Sequence, residues 1–171
     1  MKVINIFAGP GSGKSTTAAG LFYQLKTMNK KVEYVSEYAK DLIYENRFER
    51  LNDQLYMLAE QHHRLYRLKG KVDYVICDGS FLFSYIHYSK NTIYPKKLFK
   101  QLVLDIFNQY DNTNYFLDRK DIVYQTYGRK EDFTSAMHLD KKLLKLFKSK
   151  QIKYKKISSK KSIKHILKDI L

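Results

Sequence analysis

The chain has 171 residues, 44% hydrophobic and 29% charged, a length and composition typical of one globular domain and not of a disordered chain. No apolar run approaches the ~20 residues that a membrane helix needs, and the first residues form a strand pattern and not a signal peptide. We therefore expect a cytoplasmic protein with no membrane partner. The single cysteine, Cys77, excludes an internal disulfide and is expected to be a small buried hydrophobe.

The formal net charge of +15 is concentrated in one segment. Residues 141–171 carry 12 lysines and one acid, Asp169, whereas the 140 residues before them carry 20 basic and 16 acidic side chains. The lysines alternate with leucine and isoleucine at helical spacing, a pattern typical of amphipathic helices with solvated lysine faces. The alternative is a surface that binds nucleic acid through its phosphates.

The first predicted element is a buried strand over residues 3–7, followed by a glycine-rich turn and a helix over 14–28. The turn AGPGSGKST, residues 8–16, follows the P-loop (Walker A) pattern G-x-x-x-x-G-K-[ST], except that Ala8 replaces the first glycine. The loop N–H groups and the helix N-terminus suit a polyphosphate; Lys14 would reach its β- and γ-phosphates and Ser15 would bind Mg²⁺. A turn without a ligand is the alternative, but the strand-to-helix position favours ATP binding by Gly9, Gly11, Ser12, Gly13, Lys14, Ser15 and Thr16.

The second strand is predicted over residues 31–36 and ends at Glu37. A carboxylate there can face the γ-phosphate and act as the base, or the hydrogen-bond acceptor, for an attacking hydroxyl. The alternative is an acid that stabilises the N-terminus of the following helix. Helices are expected next over 37–48 and 53–69.

A third strand over residues 73–77 brings Asp78 to its carboxyl end. A hydrophobic strand that ends in aspartate has the form of a Walker B segment, whose acid holds Mg²⁺ across from the P-loop hydroxyl. The alternative is a simple strand-end turn at Asp78-Gly79-Ser80. Together with the P-loop, the pattern favours Ser15 and Asp78 as the two metal ligands.

The remaining pattern predicts helices over 81–88 and 95–110, a strand over 114–117, a helix over 135–148, a strand over 152–157 and a helix over 163–170. Alternating strands and helices with crossover connections indicate an α/β protein of the P-loop NTPase fold, with a five-stranded parallel sheet and helices on both faces. We expect a single domain over residues 1–171.

Residues 118–134 are charged and lack a long apolar period, and we predict that they form a lid. Phosphoryl transfer needs excluded water and neutralised charge, which a closing basic lid provides. Arg129 is the candidate for the arginine that stabilises the transferring phosphoryl group, since a guanidinium matches phosphate geometry better than an ammonium. A solvated loop residue is the alternative.

The whole chain resembles the P-loop nucleoside and nucleotide kinases, and within them the nicotinamide riboside kinase domain of NadR-type proteins and small phage-encoded relatives. The residues that carry the resemblance are the P-loop, Glu37-Tyr38-Ala39-Lys40, Ala59-Glu60-Gln61, Asp78 and Gly128-Arg129. The resemblance implies that Glu37 or Asp78 attends the acceptor hydroxyl, that Gln61 and Arg64 face the acceptor base, and that Arg129 belongs to the lid. The aromatic side chains that are candidates to stack on an acceptor base are Tyr38, Tyr44, Tyr56, Phe81, Phe83 and Tyr85, and the alternative for them is a place in the core. Lys40 replaces an arginine of the family, and Gly79 stands where deoxynucleoside kinases carry an arginine.

These features predict an ATP- and Mg²⁺-dependent kinase that transfers a γ-phosphoryl group to a nucleoside, nucleotide or nicotinamide riboside-like acceptor. The predicted catalytic residues are Lys14, Glu37, Asp78 and Arg129, and the predicted acceptor-binding residues are Glu37, Tyr38, Gln61 and Arg64. One alternative is a polynucleotide 5′-hydroxyl kinase that uses the lysine-rich residues 141–171 as a substrate track. Another is a nucleic-acid-binding or regulatory ATPase. The sequence leaves the oligomeric state open.

Overall fold

A computed structural model describes residues 1–88, 93–120 and 132–171 of the chain. In these residues one parallel sheet has the strand order β2-β3-β1-β4-β5, with β1 at its centre. The strands are β1 (Lys2–Phe7), β2 (Val32–Val35), β3 (Tyr74–Asp78), β4 (Asp111–Asp118) and β5 (Lys155–Ser158). The five-stranded parallel sheet of a P-loop NTPase, expected from the sequence, is confirmed.

The helices cover both faces of this sheet. They are α1 (Lys14–Thr27), α2 (Tyr38–Tyr44), α3 (Gln54–Tyr66), α4 (Leu82–His87), α5 (Lys96–Asn108), α6 (Phe133–Ser149) and α7 (Ser162–Ile170). Short 3-10 helices lie at Phe48–Asn52 and Ser159–Lys161. The helix predicted over 37–48 is therefore too long: α2 ends at Tyr44, and Asn46 has a left-handed φ of 58° that turns the chain away.

The fourth strand is longer than predicted because polar residues form half of it. The Asn5 side chain of β1 donates hydrogen bonds to Asn112 Oδ1 and Asn114 Oδ1 of β4, at 2.8 and 3.0 Å. This ladder of amides satisfies polar side chains inside the sheet, where an apolar pattern is normally expected. The fifth strand is shorter than predicted: Gln151 has a φ of 53°, and the N–H of Ile152 returns to Phe147 O at the end of α6.

Alternating residues of β1 build a core on each face of the sheet. Ile4 and Ile6 pack with the buried side chains of α1 and α7, which include Leu21, Leu25 and Ile166. Val3 and Phe7 pack on the opposite face with side chains of α3, α5 and α6, which include Leu58, Phe99 and Phe147. Cys77 belongs to this second core with 1% of its surface exposed, as expected, and burial raises the pKa of its thiol to about 12. Because both faces are covered, the open edge for a ligand is at the carboxyl ends of the strands.

The lysine-rich segment forms amphipathic elements. Its 12 lysines are exposed, whereas the leucine, phenylalanine and isoleucine side chains between them include the buried Leu143, Leu146, Phe147, Ile166 and Ile170. Two of the lysines form ion pairs: Lys155 with Asp169, and Lys156 with Asp118 at 3.1 Å. Among the helices of the described residues, none combines the length and apolarity that crossing a membrane requires.

Candidate functional site

A cavity of about 660 Å³ opens at the carboxyl ends of β1, β2 and β3. One half is formed by the phosphate-binding turn, from Pro10 to Thr16, and the other by α2, the 3-10 helix, α3 and the turn after β3. The volume falls in the range of small-molecule sites, ~300–1,000 Å³. The predicted residues Lys14, Ser15, Glu37 and Gln61 all line it, together with Gly79 beside Asp78.

The glycine-rich turn has a conformation suited to an anion. Gly11 and Gly13 have φ values of 74° and 84°, which glycine adopts without strain, and Gly13 begins α1 with no side-chain cap among the described residues. The first N–H groups of α1 therefore face the cavity at the positive end of the helix dipole. The Lys14 ammonium group donates to Gly9 O over 3.3 Å, which folds this side chain across the turn.

Gly9 was predicted to bind ATP, but its backbone N–H has a partner inside the protein. Its N–H donates to Asp140 Oδ1 over 2.5 Å, so it is already used inside the protein and not directed at a phosphate. A Cβ atom at Gly9 would lie 2.4 Å from the backbone oxygen of Ala136 in α6. Gly9 is therefore required for close packing of the turn against α6.

Asp78 and Ser15, the two predicted metal ligands, are connected through the Lys40 side chain. Asp78 is fully buried; its Oδ2 accepts hydrogen bonds from Lys40 Nζ at 3.0 Å and from the Tyr34 hydroxyl at 3.2 Å. Lys40 Nζ also donates to Ser15 Oγ. Burial by itself raises the pKa of the Asp78 carboxyl, but the Lys14 and Lys40 charges, with hydrogen bonds from Ser15 and Lys40, together lower it below its ordinary value. Asp78 is therefore held as a carboxylate.

The residues around Asp78 fit a magnesium ion. Asp78 Oδ1 is buried and has no hydrogen-bond partner among the described residues, and the Ser15 hydroxyl is a second hard oxygen donor. The ammonium group between them shows that this place attracts a cation. No cluster of three or more His, Cys, Asp or Glu in residues 1–88, 93–120 and 132–171 could hold a metal by itself. Mg²⁺ usually keeps waters and takes its remaining ligands from substrate phosphates, so one carboxylate and one hydroxyl suffice.

Glu37 lies just after the carboxyl end of β2 and lines the cavity. It precedes α2, and its side chain makes no capping hydrogen bond to that fully described helix. It packs against Gly79, whose φ of 98° favours glycine and whose missing Cβ would lie 2.6 Å from Glu37 Cβ. Gly79, which stands where deoxynucleoside kinases carry an arginine, thus leaves room for the aliphatic part of the Glu37 side chain.

Three predicted acceptor contacts look different in the structure. Gln61 lines the cavity, but its Oε1 accepts from Tyr38 N at 2.8 Å and its Nε2 donates to Ser36 O at 3.1 Å. Both ends of this buried amide therefore hold the connection between β2 and α2. The amide has a second N–H and a second lone pair, so the base-facing role of Gln61 stays a prediction.

Tyr38 and Arg64 lie outside the residues that line the cavity. Tyr38 is buried, with its hydroxyl 2.6 Å from that of Tyr56. Arg64 stacks over the Tyr38 ring at 4.7 Å and pairs with Asp41 at 2.5 Å. These two residues were predicted to contact the acceptor. In the structure they form a layer between α2 and α3, where the Tyr38 hydroxyl meets that of Tyr56 and the Arg64 guanidinium pairs with Asp41.

Arg129 and most of the predicted lid 118–134 lie outside the described residues, so their role stays a prediction. The described part contains Arg119, which is buried and donates from Nε to Asp140 Oδ2 at 2.9 Å and from Nη1 to Pro10 O at 2.6 Å. Arg119 belongs to the segment 118–134 that was predicted to form a lid. Its position directly after β4, next to Asp118, was the feature of the sequence that indicates a fixed residue at the end of the sheet.

Sequence reasoning also missed most of the cavity half opposite the phosphate-binding turn. The lining residues that were not predicted to face a ligand include Ile43, Leu51, Asn52, Gln54, Met57 and His87, whereas Tyr44 and Phe83 were candidates to stack on a base. Asn52 is exposed and Gln54 is buried, with its Nε2 donating to Leu51 O at 2.6 Å. The mixture of aromatic, aliphatic and amide side chains can enclose a flat polar molecule.

Comparisons with known proteins agree with this architecture. The sequence profile of the AAA domain family matches residues 3–164. The chain is similar to the solved deoxyadenosine kinase from M. mycoides with bound dATP, at 17% identity and a TM-score of 0.57 over 99% of both chains. It is also similar to shikimate kinase from Aquifex aeolicus, at 18% identity and a TM-score of 0.54 over 99% of this chain and 96% of that chain. No curated protein matches the sequence. At these identities the two structural likenesses establish the fold.

Proposed function

This chain belongs to the AAA domain family, and from that premise we propose that it is an ATP-dependent phosphotransferase acting on a small nucleoside, nucleotide or nicotinamide riboside-like acceptor. One observation carries the proposal: the phosphate-binding turn, Glu37 and Gly79, the neighbour of Asp78, line one cavity whose other half contains apolar and amide side chains. The second half provides room for a molecule that receives the phosphoryl group.

The proposed mechanism relies on positioning and on neutralised charge. The N–H groups at the start of α1 and the Lys14 ammonium group bind the β- and γ-phosphates. Ser15 and Asp78 would hold a magnesium ion, which when bound neutralises phosphate charge. Glu37 accepts the proton of the acceptor hydroxyl, which increases the nucleophilicity of its oxygen.

The acceptor class is supported by the chemistry of the second half of the cavity. Phe81 and Phe83 offer rings against which a base can stack, and Asn52 and Gln54 offer amides for the edge of that base. The similar solved structures include a deoxyadenosine kinase and a shikimate kinase. The first of these agrees with a nucleoside acceptor.

The test is ADP production from Mg²⁺-ATP with a panel of nucleosides, nucleoside monophosphates, nicotinamide riboside and a 5′-hydroxyl oligonucleotide. Lys14→Ala is the blank, because it removes the ammonium group that binds the phosphates. We expect one small acceptor to stimulate ADP release, and we expect that stimulation to be lost in Lys14→Ala. Equal ADP release with and without every acceptor would contradict phosphoryl transfer and favour a regulatory ATPase.

A polynucleotide 5′-hydroxyl kinase is the second candidate, and the 12 exposed lysines of residues 141–171 favour it. Binding of a strand releases counterions and weakens steeply with added salt, whereas turnover of a small acceptor depends on salt far less. Stimulation by the oligonucleotide alone, lost at high salt, would support this candidate.

A further inference from the structure

The Lys40 side chain lies between the two residues assigned to the metal ion. Its ammonium group donates to Asp78 Oδ2 over 3.0 Å and also to Ser15 Oγ. The Asp78 side chain is fully buried, whereas 37% of the Lys40 side chain is exposed. The contact therefore joins a fixed carboxylate to a cation on a long, flexible stem.

We propose that Lys40 is a resident counterion of the metal site, which holds Ser15 and Asp78 in the nucleotide-free protein and leaves them when a magnesium ion enters. The inference rests on the proposed function, in which Ser15 and Asp78 are the metal ligands of the protein. Lys40 would thus act in binding of the metal ion and not in phosphoryl transfer.

The need for a counterion follows from the burial of Asp78. A buried carboxylate is costly unless a nearby cation and hydrogen bonds compensate for its lost hydration. Lys14 contributes charge from the phosphate-binding turn, but its ammonium group is bonded to Gly9 O. Among the described residues, the Lys40 ammonium group and the Tyr34 hydroxyl donate to Asp78 Oδ2.

Lys40 and a divalent cation cannot use the same oxygen atoms together. The ammonium group already occupies Asp78 Oδ2 and Ser15 Oγ. A divalent cation held by the same two residues would lie next to it, and like charges at that distance repel strongly inside a protein. Entry of the ion therefore requires the ammonium group to move. Lys40 lies on α2 and lines the cavity, so after displacement it stays beside the phosphates, which accept charge-assisted hydrogen bonds.

The test measures binding of Mn²⁺ alone to the nucleotide-free protein by electron paramagnetic resonance. Mn²⁺ takes the same oxygen ligands as Mg²⁺ and is visible in this experiment. Lys40→Met keeps a comparable side-chain length without the charge, and we expect its Mn²⁺ affinity to rise by about tenfold or more, because a contacting like charge is gone. Lys40→Arg retains the charge, and we expect a smaller gain.

Lys26→Met is the matched control. It removes one positive charge from an exposed surface pair with Glu33, away from the cavity, and we expect it to leave Mn²⁺ affinity unchanged. Should Lys40→Met not fold, Lys40→Gln removes the charge with a polar side chain and is expected to show the same gain.

An unchanged, weaker or undetectable Mn²⁺ affinity in the neutral Lys40 variants overturns the proposal, as does an equal gain in Lys40→Arg. The experiment contains neither ATP nor an acceptor. A negative result would thus leave phosphoryl transfer standing, while failure of acceptor-stimulated ADP release would count against the proposed function alone.

Discussion

Arg119 and Asp140 form a buried pair that fastens the phosphate-binding turn to the framework of the protein. Arg119 Nε donates to Asp140 Oδ2 over 2.9 Å, and the other carboxylate oxygen accepts the N–H of Gly9 at 2.5 Å. Only 8% and 10% of the two side chains are exposed. Because Arg119 also donates to Pro10 O, the pair connects the end of β4, the helix α6 and the turn.

The first prediction concerns this pair. Asp140→Asn leaves a buried guanidinium without its counterion, and we expect the free energy of unfolding to fall by about 3–5 kcal/mol. Loss of the Gly9 contact should also weaken nucleotide binding. Urea denaturation and ADP titration measure the two effects. The double variant Arg119→Met/Asp140→Leu is expected to recover much of the stability, since no charge is left unpaired. A double variant less stable than Asp140→Asn would contradict the charge argument.

Gly9 and Gly20 provide a matched pair of glycine substitutions. In Gly9→Ala the new methyl group would lie 2.4 Å from the backbone oxygen of Ala136, so α6 or the turn must shift. We expect a loss of about 1–3 kcal/mol of stability. In Gly20→Ala the methyl group meets the end of the flexible Ile163 side chain at 2.3 Å. Better helix propensity offsets that contact, so its thermal midpoint should change little.

Substitutions of Glu37 and Asp78 are expected to impair activity in different ways. Glu37→Gln removes the proposed base, and kcat should fall by about 10²–10⁴-fold with little change in the affinity for Mg²⁺-ATP. Asp78→Asn removes a metal ligand, so the Mg²⁺ concentration needed for half-maximal activity should rise. Steady-state kinetics at varied Mg²⁺ separates them. The assignment is wrong if Glu37→Gln changes only the Mg²⁺ requirement.

Substitutions of Gln61 and Asn52 distinguish a residue that supports the cavity wall from one that contacts the acceptor. Gln61→Leu leaves the Tyr38 N–H and the Ser36 carbonyl without partners, and we expect a stability loss of about 1–3 kcal/mol. Asn52→Ala is exposed and should leave stability unchanged while it raises the KM for the acceptor. The comparison needs denaturation curves and acceptor kinetics for both variants. A stable Gln61→Leu with a raised acceptor KM would support the base-facing role.

Asp169 is expected to make the free energy of unfolding depend on pH. Hydrogen bonds from Lys155 and from Tyr115, the latter at 2.5 Å, lower the pKa of its carboxyl from the ordinary 3.8. A carboxyl whose pKa is lower in the folded protein stabilises it above the unfolded pKa. That contribution is lost as pH falls through the folded pKa. Urea midpoints between about pH 5 and pH 2 should therefore fall more steeply for the wild type than for Asp169→Asn. Parallel curves would contradict the assignment.

Local patterns in the sequence account for the fold and for the phosphate half of the cavity. The strands β1, β2 and β3, the glycine-rich turn and the positions of Ser15, Glu37 and Asp78 follow from apolar periodicity and from strand-end placement, which act over a few residues. The same rules missed the first half of β4, because its Asn112 is satisfied by Asn5, more than a hundred positions away in the chain.

The sequence by itself determined an α/β protein with a P-loop, since each of these signals is local and repeats along the chain. Only the tertiary structure decided what individual side chains contact. It joined Gln61 to Tyr38 and Ser36, paired Arg64 with Asp41, buried Arg119 against Asp140 and placed Lys40 between Ser15 and Asp78. The physical reason is that a long polar side chain binds whichever partner the fold brings within about 3 Å, and such partners lie on elements far apart in the sequence.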